Sequence, residues 1–313
     1  MATTPLVVCI GAANVDINGF STAALLPEES NPGHIRLCAG GVARNIAENL
    51  ARLGNQVELI SALGGDGLQR LIIDSCKAAG IGYAHCAADI AQPSSSYLAI
   101  LDERGEMALA VCDMGITDRL ITPAFLEREA ALLEQAALIV ADAGLLRPTL
   151  AWLCGRFAHK DLFLDPVSIR RCANVKGLLP HFHTLKMNGH EAAHLAGFKG
   201  SPTREDYLAM AEGFTRRGNS RIFITLGPLG AVYAAQGQPA GWLPAVPLQP
   251  KGVTGAGDAF MAGVVHAHLR GWTAAEAARF ATGVSAVALS SPLTVNPKVS
   301  ERAALDLLKT LPG

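Results

Sequence analysis

The chain of 313 residues is half hydrophobic and carries a formal charge of −1, with charges of both signs scattered and no Lys/Arg-rich run. This balance excludes the electrostatic footprint expected of a partner for nucleic acid or an anionic membrane and favours a small-molecule ligand. The seven cysteines (9, 38, 76, 86, 112, 154 and 172) are odd in number and form no C-x-x-C pair, which suits reduced thiols better than a disulfide frame or a zinc ribbon.

Met1-Ala2-Thr3-Thr4-Pro5 runs into a strand-like segment with no basic n-region or cleavage site, so a cytoplasmic location is expected. Short apolar strands are predicted at residues 6–10, 57–62, 138–141, 162–164, 184–187 and 222–226. Helical spacing is read at 42–53, 147–157, 205–217, 259–269 and 274–288. This alternation predicts an α/β fold with a parallel sheet covered on both faces. Residues 14–38 and 94–112 break the pattern. The second reads as a hairpin turning at Asp102-Glu103-Arg104-Gly105, and together they predict a small separate sheet placed as a lid. Residues 222–250 are uncharged, but Gly and Pro interrupt them too often for a membrane helix of ~20 residues. No repeat or long linker divides the chain, so residues 1–313 are expected to form one domain.

Several motifs carry chemistry. On a strand, Asn14, Asp16 and Asn18 face one side together, where the Asp16 carboxylate can accept hydrogen bonds from two adjacent sugar hydroxyls; a solvated edge strand is the competing reading. Gly40-Gly41 opens a helix with Arg44 and Asn45 in its first turn, a place for close backbone approach to a ligand or for a plain turn. Asn188 and Glu191 form either a polar pair holding metal-bound water or a capping box. Overlapping them, His190-Glu191-Ala192-Ala193-His194 matches the H-E-x-x-H of zinc peptidases, although a short helix ending at Gly197 within βα alternation is unlike that setting. Thr225, Gly227 and Gly230 lie in a turn able to lay backbone and a hydroxyl along a triphosphate, or to act as a simple hairpin. Most informative is Val253-Thr-Gly-Ala-Gly-Asp-Ala-Phe260. Gly255, Ala256 and Gly257 form an anion nest at a helix N-terminus, and Asp258 stands beside it as a potential base. Neither a Walker sequence nor a dinucleotide fingerprint is present.

In this order, the elements resemble the ribokinase-like (PfkB) family of sugar and nucleoside kinases over nearly the whole length. Gly40-Gly41 with Asn45 looks like its first signature, and Thr254 to Asp258 like its second. The resemblance implies a three-layer α/β/α sandwich with a mostly parallel sheet and a β-sheet lid at about 12–38 and 94–112. It implies Asp258 as catalytic base, Gly255 to Gly257 as anion hole, and Asn14, Asp16, Gly40, Gly41 and Asn45 around the acceptor. Asn188 and Glu191 would organise Mg2+ through water, and Thr225, Gly227 and Gly230 would line ATP. Stretches within 14–49 and 165–191 look most like the family's bacterial pseudouridine kinases.

Val42 stands where sugar kinases of this family usually carry Lys, which favours a nucleoside over a free pentose. Gly252 stands where a monovalent-cation site commonly has Asp, which predicts weak activation by potassium, restorable by Gly252→Asp. Ser30 and Asn31, unexplained by the kinase motifs, are expected to read the base, with the polar residues at 94–96 as the alternative. Edge strands of the lid are expected to pair two copies in a homodimer.

Overall fold

A computed structural model describes residues 4–252 and 254–310, so Val253, the first residue of the nest octet, lies outside the described residues. Its strands are β1 (Leu6–Ile10), β2 (Asn14–Ser21), β3 (Gly33–Gly40), β4 (Gln56–Ile60), β5 (Ala62–Leu63), β6 (Ala87–Ala88) and β7 (Ser96–Leu101). Then follow β8 (Met107–Asp113), β9 (Leu138–Asp142), β10 (Asp161–Asp165), β11 (Thr184–Asn188), β12 (Arg221–Thr225), β13 (Ala231–Ala235) and β14 (Gly241–Leu243). The helices are α1 (Val42–Arg52), α2 (Gly67–Ala79), α3 (Gly115–Leu120), α4 (Pro123–Arg128), α5 (Ala130–Gln135) and α6 (Arg147–Arg156). They continue as α7 (Gly189–Ala196), α8 (Arg204–Arg216), α9 (Ala256–Leu269), α10 (Ala274–Leu289) and α11 (Glu301–Leu308).

Eight strands form the main sheet in the order β14-β13-β12-β11-β10-β9-β1-β4. Pairing is parallel from β4 through β12, and β13 and β14 add antiparallel strands at one edge. The strand sequences are apolar on both faces, as a sheet sandwiched between helices requires. Val7 and Cys9 of β1 pack with Phe163 and Phe223 against α1, α9 and α10, while Val8 and Ile10 pack with Leu164 and Ile224 against α6 and α8. Residues 259–267 of α9 are buried throughout, so its near-uniform apolar sequence reflects a helix surrounded by protein. A Cβ at Gly263 would meet the Ala281 backbone at 2.6 Å, which explains glycine where α9 crosses α10. No helix among the described residues is long and apolar enough to cross a membrane.

A second sheet of four strands, ordered β3-β2-β7-β8, is built from the two segments that interrupt the βα alternation. Register pairs Asp16 with Cys38 and with Tyr97, and Tyr97 with Cys112, so these four side chains form one row on one face. The opposite face carries Ile35, Leu37, Leu98, Leu109 and Val111, all exposed, with Leu109 at 62% and Val111 at 57%.

Candidate active site

Four carboxyl ends of adjacent parallel strands converge on one region: Asp142 closes β9, Asp165 closes β10, Asn188 closes β11 and Thr225 closes β12. Ligands of open α/β sheets gather at this edge because helix N-termini and strand-end loops face it together. The N-terminus of α9 is one of them. Gly255 is its N-cap at φ 80, and among the described residues no side chain caps the first turn, so the amides of Ala256 and Gly257 are available to an anion. A Cβ on Gly255 would lie 1.9 Å from the Thr294 carbonyl oxygen, and one on Gly257 2.6 Å from Lys186 Nζ. Both positions therefore exclude a side chain unless neighbours move.

Asp258, in the first turn of α9, is 9% exposed and accepts a hydrogen bond from Asn45 Nδ2 at 2.7 Å. Burial, reinforced by the nearby Asp165 charge, pushes its carboxyl up to about 7. Asn45 was expected among the acceptor-binding residues. Its Nδ2 donates one hydrogen to Asp258 and its Oδ1 accepts from Arg44, so its side chain orients the carboxylate and keeps a second amide hydrogen for an acceptor. Arg44 is itself fully engaged inside the protein, donating to the Gly40 carbonyl at 3.0 Å and to Glu48 at 2.5 Å.

The glycine pair has two separate reasons. Gly40 leaves room for Asp16, whose carboxyl oxygen would stand 2.5 Å from a Cβ there; Gly41 takes φ 97 and passes close over the Ala12 carbonyl. Asp16 is half-buried, accepts from Asn14 Nδ2 at 2.7 Å, and has its pKa raised by burial, an effect that the Asn14 bond and the Arg44 charge partly offset. In the same row, Cys38 Sγ lies 3.7 Å from Thr294 Oγ1, and the Thr294 carbonyl backs Gly255. The Asp16 face of the small sheet thus adjoins the helix terminus that carries Asp258.

Lys186 and Asp142 were missed by sequence reasoning. Lys186 is buried, donates to Asp165 Oδ2 at 2.9 Å and lies beneath Gly257. Burial pulls its ammonium down, yet the carboxylates of Asp165, Asp258 and Glu191 outweigh this and hold its pKa above the ordinary value. The signal was a lysine between Leu185 and Met187 of a strand, where a buried unpaired charge is not tolerated. Asp142 accepts from the amides of Ala12 (2.8 Å), Ala43 (3.0 Å) and Gly144 (2.8 Å), and burial pushes it up to about 6. It fastens the start of α1 to the sheet.

Both readings of Asn188 and Glu191 start from one geometry. Asn188 Oδ1 accepts from the Glu191 amide at 2.9 Å, and Glu191 accepts from the Asn188 amide at 2.8 Å and its Nδ2 at 2.7 Å, a complete capping box. Burial and the Asp165 charge raise the Glu191 pKa. Three buried carboxylates, Asp165, Glu191 and Asp258, therefore surround one ammonium. That excess of negative charge fits a hard divalent cation. The zinc-peptidase pattern is not assembled: His190 and His194 are exposed, while Glu191 turns into the protein.

Thr225, Gly227 and Gly230 line a cavity of about 540 Å³ that continues to Ala256 and Gly257. Its walls include Val246, Leu248, Phe260 and Leu289, an apolar slot ending at the anion nest. Ser30 and Asn31 are not brought here. Asn31 Oδ1 accepts from the Leu26 amide at 2.8 Å, and its Nδ2 donates to the Leu26 and Glu29 carbonyls. That side chain closes its own loop, and Ser30 is exposed in the same loop. The loop lies beyond Ser21, about 17 Å along the strand from Asp16. Gly252→Asp also loses its basis as a repair, because a Cβ there would lie 2.6 Å from the Ser291 carbonyl oxygen.

Residues 4–301 match the pfkB family of carbohydrate kinases. The chain belongs to that family. Among relatives of this pfkB kinase, the pseudouridine kinase of Escherichia coli K12 is 38% identical over 97% of the chain and 96% of its own length. A carbohydrate kinase from Agrobacterium tumefaciens is 28% identical with a TM-score of 0.83, covering 98% of each chain. The ribokinase of Arabidopsis thaliana complexed with ribose and ATP superimposes with a TM-score of 0.85 over 98% of this chain and 99% of its own, at 21% identity. The fold is ribokinase-like, and the protein is a sugar or nucleoside kinase that transfers phosphate to an alcohol.

Proposed function

We propose that this kinase phosphorylates the 5′-hydroxyl of a nucleoside, pseudouridine first among them, with Mg·ATP as donor. The observation that carries the reading is the contiguity of the apolar cavity, the uncapped α9 terminus and Asp258, joined to the Asp16 face of the small sheet. The similarity to the Escherichia coli enzyme supports pseudouridine as acceptor. In this reading the adenine lies in the apolar slot, and Thr225, Gly227 and Gly230 follow the phosphates.

Asp258 takes the proton of the acceptor hydroxyl as its oxygen bonds to the γ-phosphorus and the bond to the β-phosphate oxygen breaks, releasing ADP. The amides of Ala256 and Gly257, with Lys186 below them, meet the charge on the transferred group. Asn188 and Glu191 would hold the water of a bound Mg2+, which would supply neutralisation of the phosphate charge. The small sheet acts as a lid that covers the sugar and excludes water. An ADP-release assay across pseudouridine, uridine, inosine, adenosine and ribose tests the assignment. Pseudouridine should give the highest kcat/KM, with little change when potassium replaces sodium; ribose as the best acceptor would defeat the nucleoside reading.

Pseudouridine presents N1–H where uridine has C5–H, so a selective site needs an acceptor there. Asn18, two residues beyond Asp16 on the same face of β2, replaces Asn31 as the base-reading residue. An acceptor left unpaired with uridine costs ~1–3 kcal/mol, or roughly 5- to 150-fold. Asn18→Ala should narrow the pseudouridine-to-uridine ratio of kcat/KM toward one, and an unchanged ratio would place the determinant elsewhere.

The apolar face of the small sheet, with the free edges of β3 and β8, supports a homodimer formed through the lid. Light scattering should return the mass of two chains for the parent protein and of one for Leu109→Lys/Val111→Lys. A monomeric parent would exclude this interface.

A further inference from the structure

The three elements that end in the phosphoryl-transfer site also carry a second set of donors at their far ends. Strand β10 ends in Asp165 and begins with Asp161; β11 ends in Asn188 and follows directly on His183; α9 begins beside Asp258 and carries His268 in its last turn. Four residues of strand span about 13 Å and fourteen of helix about 21 Å, so this second cluster lies at the opposite end of the sheet from the nest.

One oxygen of Asp161 lies 2.9 Å from His268 Nε2, the other lies 3.9 Å from His183 Nε2, and one donor atom from each residue falls within 4.8 Å of the others. Tetrahedral zinc with bonds of 2.0–2.1 Å sets its donors about 3.3 Å apart, so these three need only small shifts to share an ion. Their rings are already oriented. His183 stacks on Phe163, His268 meets that ring edge-on, and His183 Nδ1 lies 2.8 Å from Thr184 Oγ1, the outer contact that leaves Nε2 to point inward. Asp161 is 44% exposed, which leaves a route for an ion and a fourth position for water. Arg221, at the start of the neighbouring strand, places an opposing charge near Asp161 and His183 and limits the affinity.

We propose that Asp161, His183 and His268 bind one transition-metal dication of the zinc class, clamping the far end of α9 to strands β10 and β11. The site shares no residue with the Asn188 and Glu191 pair assigned to Mg2+, nor with the H-E-x-x-H segment.

The test is titration of the full-length protein with Co2+ in excess Mg2+, which keeps the catalytic carboxylates occupied. The expected result is one saturable equivalent with the visible bands of tetrahedral cobalt, displaced by Zn2+, and a rise in Tm with Zn2+. His183→Ala and His268→Ala should abolish the bands. Asp161→Asn, which preserves shape, should weaken binding roughly tenfold or more and remove the rise in Tm, so the proposal remains testable should either histidine variant fail to fold. Absence of saturable binding, or binding with the same affinity in Asp161→Asn and the histidine variants, would reduce the cluster to an Asp–His ion pair.

Discussion

Asp258→Asn should bind ATP and nucleoside as the parent does while turning over ~10²-fold more slowly or worse, because the amide keeps the shape and loses the base. The structure gives this expectation a pH dependence. With its carboxyl pushed up to about 7, Asp258 is largely protonated below neutrality and ionised above it. Only the ionised form accepts the hydroxyl proton, so kcat/KM, which reports the free enzyme, should rise through neutral pH and level off on the alkaline side. In Asp258→Asn the residual rate should lack that ascending limb. Calorimetry for both ligands, kcat at saturation and kcat/KM measured across neutrality check the two halves together; near-parental kcat with the limb intact would assign the base to another group. Asn45→Ala offers a graded version, since it removes the 2.7 Å donor that orients the carboxylate and favours its ionised form. Its ascending limb should move to higher pH.

Periodicity and helix-entry signals made much of this fold legible. Residues 138–141 and 162–164 read as strands because uninterrupted apolar runs fit a sheet buried on both faces, and Gly255 marked the start of α9 because glycine alone is comfortable at φ 80. The ends were less legible than the middles. Asp142 and Asp165, one residue past those apolar runs, are polar residues whose value comes from what other segments bring to them: the Ala43 amide across 99 positions, the Lys186 ammonium across 21. Helix α2 was not among the expected elements, although Asp66 accepts from the Gln69 amide at its start and Gly80 closes it at φ 72.

Long-range partnership also explains the two revised roles. Asn45 follows a glycine pair and reads as a ligand contact, and only tertiary structure shows Arg44 and Asp258 taking both ends of its amide. Asn31 reads as an unassigned polar group, and only the closed loop shows its three hydrogen bonds spent at home. Val167 gives no sequence signal at all. This β-branched residue sits at φ 67, an arrangement costing ~1–3 kcal/mol, and is held by its amide donating at 2.8 Å to Asp165, the partner of Lys186.

Asp16→Ala should cut kcat/KM for the nucleoside roughly 10²-fold or more and leave ATP affinity nearly unchanged. The magnitude follows from two hydroxyl-to-carboxylate hydrogen bonds at about 1.5–3 kcal/mol each, part of which aims the 5′-hydroxyl at the phosphorus and so appears in kcat. A structural role for Asp16 is the serious competitor, because its carboxyl abuts Gly40 and accepts from Asn14. The two roles separate with acceptors lacking the 2′- or 3′-hydroxyl. Where the carboxylate holds those hydroxyls, the parent enzyme discriminates strongly against the deoxy acceptors and Asp16→Ala does not, since there is no partner left to lose. Where Asp16 only supports the turn at Gly40, the variant loses activity toward all acceptors by the same factor and keeps the parent's preference. Equal discrimination in parent and variant, or a parallel loss of ATP binding in a calorimetric titration, would remove Asp16 from the acceptor site.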